Sequence, residues 1–252
     1  MSNWLGNFSL LQDQLADLAV LANASSTNDL LLTSKVSDFS AVLTGHQTAG
    51  RGRLGRLWIS PAGNAVALSF VTPQVAAEVQ QWVPLVAGAS MTQALHSMGI
   101  TQASLKWPND ILVGTRKLSG ILCESRSDNR VVVGIGVNVC FPADKPPTSE
   151  AISLSDLIKV SHGLVDALLA RSIRAFRTLC DLPPAEAQGW ALTTVSHLLG
   201  TLGRKVSVHE FDGTMWSGVA ESLGDEGHLM VIEDDSGRRR RVVAADVKHL
   251  RE

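Results

Sequence analysis

The run RVVVGIGVNV, residues 130–139, constrains this chain more than any other segment. It is too rich in β-branched residues for a helix and reads as a strand, in which successive side chains point to opposite faces. Val131, Val133, Ile135, Val137 and Val139 then share one face and suit a packed core. The other face carries Val132, Gly134, Gly136 and Asn138. Glycine weakens a strand, so two on one face predict that something approaches the backbone closely there. Asn138 adds a donor and an acceptor to the same bare face.

The surrounding pattern supplies further elements. ASLKW, ILV and LSGILCES precede this run as strands, with GTRK (114–117) as a hairpin tip. AVLTG (41–45) and NAVALSFV (64–71) are strands on either side of an arginine–glycine loop. Leu11, Leu15, Leu18 and Leu21 fall on one face of a helix predicted over 9–24, and SSTNDLLL opens a second helix with Ser26, Thr27 or Asn28 as its cap. Helices are also predicted over 82–99, 155–182 and 185–202, with FPADKPP as a linker before the last two. From about residue 203 the character changes. RKVSVHEF, WSGVAES, GHLMVIED and RRRVVAADV are short, evenly spaced strands, the pattern of a small all-β barrel of SH3 size.

AGRGRLGRLW (49–58) has glycines in the order of a dinucleotide-binding fingerprint. That fingerprint requires a helix directly after the last glycine, because the helix N-terminus holds the anion. Here RLWISPAGN follows, with Pro61 and Gly63, and leads into a strand; no Gly-Lys-Ser/Thr follows either. What remains is a loop between strands. Its glycines allow a nest of backbone N–H groups, and Arg51, Arg53 and Arg56 add forked donors suited to phosphate or carboxylate. LKWPNDILVGTRKLSG (105–120) places Lys106 and Lys117 around a Pro-Asn-Asp turn and a hairpin, with Gly120 leaving room beside the backbone.

The formal net charge of −2 gives no general attraction to nucleic acid or anionic membrane, so the arginine loop is a local feature. Three cysteines, Cys123, Cys140 and Cys180, lie far apart with no CxxC pair, which argues against a disulfide framework or a zinc site. No apolar run reaches membrane-spanning length and no basic–apolar leader opens the chain, so the expected location is the cytoplasm.

Taken together, SSTN (25–28), GHQTAGRGRLGRLWISPAGN (45–64), LKWPNDILVGTRKLSGILCE (105–124) and VVVGIGVNV (131–139) resemble the biotin protein ligases in order and interval. The resemblance implies an α+β fold: a mixed β-sheet catalytic core with helices packed on it, residues 1–202, and a C-terminal SH3-like β-barrel, residues 203–252. It implies ATP and biotin as substrates with Mg²⁺, biotinyl-5′-AMP as intermediate, and transfer to a lysine of the biotin carboxyl carrier domains of biotin-dependent carboxylases. It assigns Ser26, Thr27, Asn28, Gln47, Arg51, Gly52, Arg53 and Lys117 to the biotin pocket. Arg51, Arg53, Lys106 and Asn138 fall to the nucleotide, and Lys117 and Arg53 to catalysis. Trp58 would form an apolar wall or simply anchor the core, Asp110 reads as a turn residue with assistance to Mg²⁺ or the incoming lysine as the alternative, and no metal ligand is assigned.

Only 25 residues precede Ser26, fewer than the DNA-binding domain some members carry, so no operator binding is expected. GRRRRVV (237–243) is offset by EDD (233–235) in the same hairpin and reads as a self-paired turn. A monomer and a homodimer are both compatible with the sequence. The rival readings are a lipoate–protein ligase or a lipoyl/octanoyl transferase of the same fold, and a nucleic-acid-binding protein without catalysis.

Overall fold

The computed structural model describes residues 6–58, 61–142, 146–243 and 245–250. Its chain order begins with α1 (Ser9–Gln12), β1 (Asp17–Leu21), α2 (Thr27–Thr33), β2 (Ser40–Thr44) and β3 (Ala65–Val71). Then come α3 (Ala77–Gln80), α4 (Val83–Ser97), β4 (Ala103–Lys106), β5 (Asp110–Val113), β6 (Arg116–Ser125) and β7 (Val131–Asn138). Helices α5 (His162–Asp181) and α6 (Pro184–Leu198) lead to β8 (Lys205–His209), β9 (Met215–Leu223), β10 (Leu229–Glu233), β11 (Arg239–Val242) and β12 (Asp246–His249).

β1 to β7 form a seven-stranded mixed sheet in the order β1-β2-β3-β7-β6-β5-β4, with β1–β2 the parallel pair. The alternation in β7 is realised as expected. Val131, Val133, Ile135, Val137 and Val139 join Val66, Leu68 and Phe70 of β3 and Met91 and Leu95 of α4 in the main core. Val132 faces the other way, into a small cluster with Leu31, Val42 and Val71 under α2. The long helices thus cover one face of the sheet, and α2 covers only part of the other. The uncovered part is where the glycines lie.

The expected helix over 9–24 is one turn of helix and a strand. Leu10 and Leu11 give their amides to the Asp166 carboxylate at 3.0 and 2.8 Å, and the chain then turns. From Asp17 to Leu21 it pairs in parallel with Ser40 to Thr44. The ladder hydrogen bonds of a sheet edge override a leucine spacing that also fitted a helix. Residues 155–161 are likewise outside α5. The first two belong to a short 3-10 turn, Leu154–Asp156, closed by a capping box between Ser153 and Asp156. The middle of the FPADKPP segment, residues 143–145, lies outside the described residues.

β8 to β12 form a five-stranded antiparallel sheet in the order β11-β10-β9-β8-β12, the small C-terminal β unit expected. RRRVVAADV supplies two of its strands rather than one, because β11 pairs with β10 while β12 crosses to pair with β8. The two sheets are tied by buried tryptophans: Trp82 Nε1 donates to Asp225 O at 2.9 Å and Trp107 Nε1 to Gly227 O at 3.0 Å.

Candidate active site

The bare patch of the large sheet is the floor of a cavity. It is lined by Ala67 from β3, Gly120 from β6, Gly134 and Gly136 from β7, and on its rim by Ala245, Asp246 and Val247 of the C-terminal sheet. What approaches the two β7 glycines is protein. A Cβ on Gly134 would overlap the Asn28 amide, and a Cβ on Gly136 would lie 2.5 Å from the Trp58 ring. The glycines seat one polar and one aromatic side chain against the sheet, and these two shape the cavity.

The polar end is built by α2. Ser26 caps the helix by accepting from the Asp29 amide at 3.4 Å, so Thr27 and Asn28 start the first turn and face inward, buried. Gln47 Oε1 accepts from both Thr27 N (2.8 Å) and Thr27 Oγ1 (3.2 Å). Ser69 donates to Thr27 Oγ1 at 2.7 Å or Asn28 Oδ1 at 2.6 Å, and Asn28 Nδ2 donates to Leu122 O and to Glu124 Oε2 at 2.8 Å. A buried polar network of this kind keeps a single arrangement because each unpaired member would be costly.

The arginine–glycine loop runs from the α2 end of the slot to the C-terminal sheet. Arg51 pairs with Asp29 and, at 2.9 Å, with Glu124. Those carboxylates raise its pKa against the opposing effect of burial. Arg56 pairs with Asp246 at 2.5 Å. Lys117 Nζ is 2.5 Å from Asp110 and 5.6 Å from the centre of the Trp58 ring. Half-buried Arg53 lines the same cavity; among the described residues its guanidinium has no hydrogen bond or ion pair. Burial lowers its pKa, partly offset by Asp110 and Asp246. Lys106 also lines the cavity, with no ion pair among the described residues. Trp58 Nε1 is buried and unpartnered among the described residues. The result is a slot with an apolar, glycine-cleared floor, an end lined by the uncharged side chains of Thr27, Asn28 and Gln47, and five cations around it, Arg51, Arg53, Arg56, Lys106 and Lys117.

Ser26, Thr27, Asn28, Gln47, Arg51, Gly52, Arg53, Lys106 and Lys117 all line this cavity. Asn138 does not. Its amide is buried and donates to Lys117 O at 3.0 Å and Ile152 O at 3.1 Å, which binds β6 to the segment after β7. Four polar residues of the site escaped the sequence reading: Asp29, Ser69, Glu124 and Asp246. Two carried a faint signal. Ser69 is the polar residue in AVALSFV in phase with Ala67, and Glu124 is in phase with Gly120.

A family model described as the biotin/lipoate A/B protein ligase family matches residues 20–139. The biotin–[acetyl-CoA-carboxylase] ligase of Mycobacterium tuberculosis is 34% identical over 96% of this chain and 94% of its own length. The chain belongs to the biotin protein ligase family. The bifunctional ligase/repressor BirA of Bacillus subtilis is 28% identical over 91% of this chain and 72% of its own. The biotin protein ligase from Aquifex aeolicus, solved in complex with biotin and ATP, shares the fold, with a TM-score of 0.75 at 24% identity over 94% of this chain and 100% of that one.

Two of the three thiols are held protonated by burial. All three cysteines are free. Burial pushes the Cys123 thiol far above its usual range and the Cys180 thiol up to about 12, so neither forms a thiolate near neutrality. No group of three or more His, Cys, Asp or Glu among the described residues is arranged to hold a metal. No described helix is long and apolar enough to cross a membrane.

Proposed function

We propose that this protein activates biotin with ATP to biotinyl-5′-AMP and transfers the biotinyl group to a lysine of a carboxylase carrier domain. The observation that carries the reading is the convergence of Arg51, Arg53, Lys106 and Lys117 on one slot whose floor is cleared by Gly120, Gly134 and Gly136. The substrates, biotin and ATP, are both anions, and bringing them together without cationic screening is unfavourable. The neutral end of the slot, at Thr27, Asn28 and Gln47, suits a polar but uncharged ring system such as the ureido group. The cationic wall suits the carboxylate and the phosphates.

In the first step a carboxylate oxygen of biotin attacks the α-phosphorus. The bond to the bridging oxygen breaks and its electron pair leaves with pyrophosphate. In the second, the neutral acceptor amine attacks the acyl carbon of the mixed anhydride, the acyl C–O bond breaks, its electron pair leaves with AMP, and the amine nitrogen releases a proton to solvent. Neither step needs a protein nucleophile; both need alignment and charge stabilisation. Lys117 takes the central position. It exchanges Asp110 for the reacting oxygens and places a compact positive charge where charge builds on phosphorus. Arg53, half-buried and without an ion pair among the described residues, completes that charge from the loop side, and Lys106 holds the nucleotide phosphates. Mg²⁺, when bound, would be held chiefly by the phosphate oxygens of ATP and would neutralise part of their charge, since the described residues offer no ready-made metal cage. The loop over residues 50–56 covers the anhydride and keeps water from it.

The lining is drawn from the large sheet and its loops with a rim from the C-terminal sheet, and the reaction is compatible with a monomer or a homodimer. We further place the protein in the cytoplasm. The thiol chemistry of an octanoyl transferase is disfavoured by the buried cysteines. The test is direct. Incubation with biotin, MgATP and a carrier domain should add one biotinyl group to the carrier by intact mass. Pyrophosphate release should depend on biotin and fall at least about 100-fold in Lys117→Ala, the scale of losing one charge-stabilising contact. Turnover retained in that variant would remove Lys117 from the mechanism.

A further inference from the structure

Asp246 belongs to the C-terminal sheet yet faces the cavity, between Ala245 and Val247 on its rim. Its position is set by β12, where it pairs in register with His209, while Ala245 and Val247 beside it are fully buried. Its carboxylate holds Arg56 at 2.5 Å. Arg56 in turn closes the loop: Gly52 N donates to Arg56 O at 2.7 Å and Arg56 N to Arg53 O at 3.2 Å. Burial raises the Asp246 carboxyl, but the Arg56 hydrogen bond and the charges of Arg56, Lys106 and Lys248 outweigh it and hold it ionised. Arg53 feels the same charge. One carboxylate therefore stands among three cations of the nucleotide end of the slot.

Resting on the ligase reading, we infer that Asp246 is a built-in counter-anion that stands in for the nucleotide phosphates and parks the arginine–glycine loop on the C-terminal sheet until ATP displaces it. The Arg56 side chain is 62% exposed, so the pair is of the weak, solvent-screened kind that a multiply charged ligand replaces readily. The carboxylate cannot follow, because its strand is fixed; it stays as a repulsive neighbour that the triphosphate must overcome. Asp246 is thus a positioning residue. It tunes how strongly the loop favours the empty state, and it gives the C-terminal sheet a role in nucleotide exchange. Asp110 holds Lys117 in the same manner, but from within the large sheet.

The test is Asp246→Asn in the full chain, with pyrophosphate release followed at saturating biotin and varied ATP. The KM for ATP should fall about 3- to 10-fold, the worth of a partly screened charge, while the KM for biotin and kcat move less than about 2-fold. The gain should shrink in about 0.5 M salt, and Asp246→Glu should restore the original KM. Without ligands, trypsin should cut after Arg56 faster in the Asn variant, because the loop is no longer parked. Asp246→Ser serves as a second neutral variant if the amide perturbs the sheet. A KM for ATP that is unchanged or raised, or a loop cut at the original rate, would overturn the inference and leave the ligase reading standing. Absence of biotin-dependent turnover in the unaltered protein would instead overturn the ligase reading, and this inference with it.

Discussion

Gly134 shows how one missing methyl organises the site. Its strand is paired on both sides, to Ser69 of β3 and to Leu122 of β6, so its backbone cannot retreat. Gly134→Ala therefore has to expel the Asn28 amide, breaking its bonds to Leu122, Glu124 and Ser69. The expected cost is about 1–3 kcal/mol in urea unfolding, typical of overpacking. The KM for biotin should rise more than that for ATP. Gly189→Ala is the contrast. A Cβ there meets nothing within 4 Å, and α6 should gain about 0.5–1 kcal/mol from the lower chain entropy of alanine. Equal loss in both variants would mean that Gly134 is not sterically special. The two β7 glycines were legible in the sequence as a place of close approach. That the approaching groups are Asn28 and Trp58 was not, because it depends on contacts across more than 70 residues of chain.

At the level of elements, α2 carries the polar end of the slot, and its far end is held by the β6–β7 connection. Arg126 donates to Leu31 O and, at 3.0 Å, to Ser34 O, while Arg130 donates to Val36 O at 2.8 Å. These are carbonyls at the end of α2 and just beyond it, where a helix leaves acceptors unmet. Asp128 joins the two arginines, and its hydrogen bonds to Arg130 and Arg126 hold its carboxyl far below the usual carboxylate range. The stabilisation that goes with a depressed folded-state pKa is complete above the free value of 3.8 and is lost progressively as pH falls from there toward the folded-state value. Urea midpoints should accordingly drop on acidification below about pH 4, and less steeply in Asp128→Asn. A slope identical in the two proteins would show that Asp128 contributes nothing there. None of this clamp was visible in the sequence, because the carbonyls that the two arginines meet lie more than 90 residues away in the chain. The strands themselves were, since a period of two survives in β3, β6 and β7. The misread segment, 9–24, is an edge strand whose partner lies 23 residues further on and whose leucines fit a helix as well.

At the scale of the whole molecule, the junction of the two sheets is where the sequence says least and the structure most. Arg56 and Asp246 are 190 residues apart, and no local pattern announces their meeting. The junction also contains a titratable group. His249 Nε2 lies 3.0 Å from Thr201 Oγ1, which accepts the Trp107 amide at 3.0 Å. With Nε2 unprotonated, the hydroxyl can give its proton to the ring while accepting from Trp107. Burial, with Lys106 and Arg204 nearby, lowers the His249 pKa to about 4. As pH falls below 6.5 the unfolded chain takes up the proton first, so the stability tied to a neutral His249 is complete above 6.5 and is lost progressively toward 4. His228, also lowered, chiefly by burial, acts in the same direction. The melting temperature should thus fall between pH 7 and pH 5, and His249→Gln, which keeps a hydrogen-bonding side chain but cannot titrate, should reduce that fall without abolishing it. The slot closes against the same C-terminal sheet, so the KM for ATP should respond to the same pH interval in the unaltered protein and less in the variant. A variant that melts and binds ATP with an unaltered pH response would place the junction's pH sensitivity elsewhere.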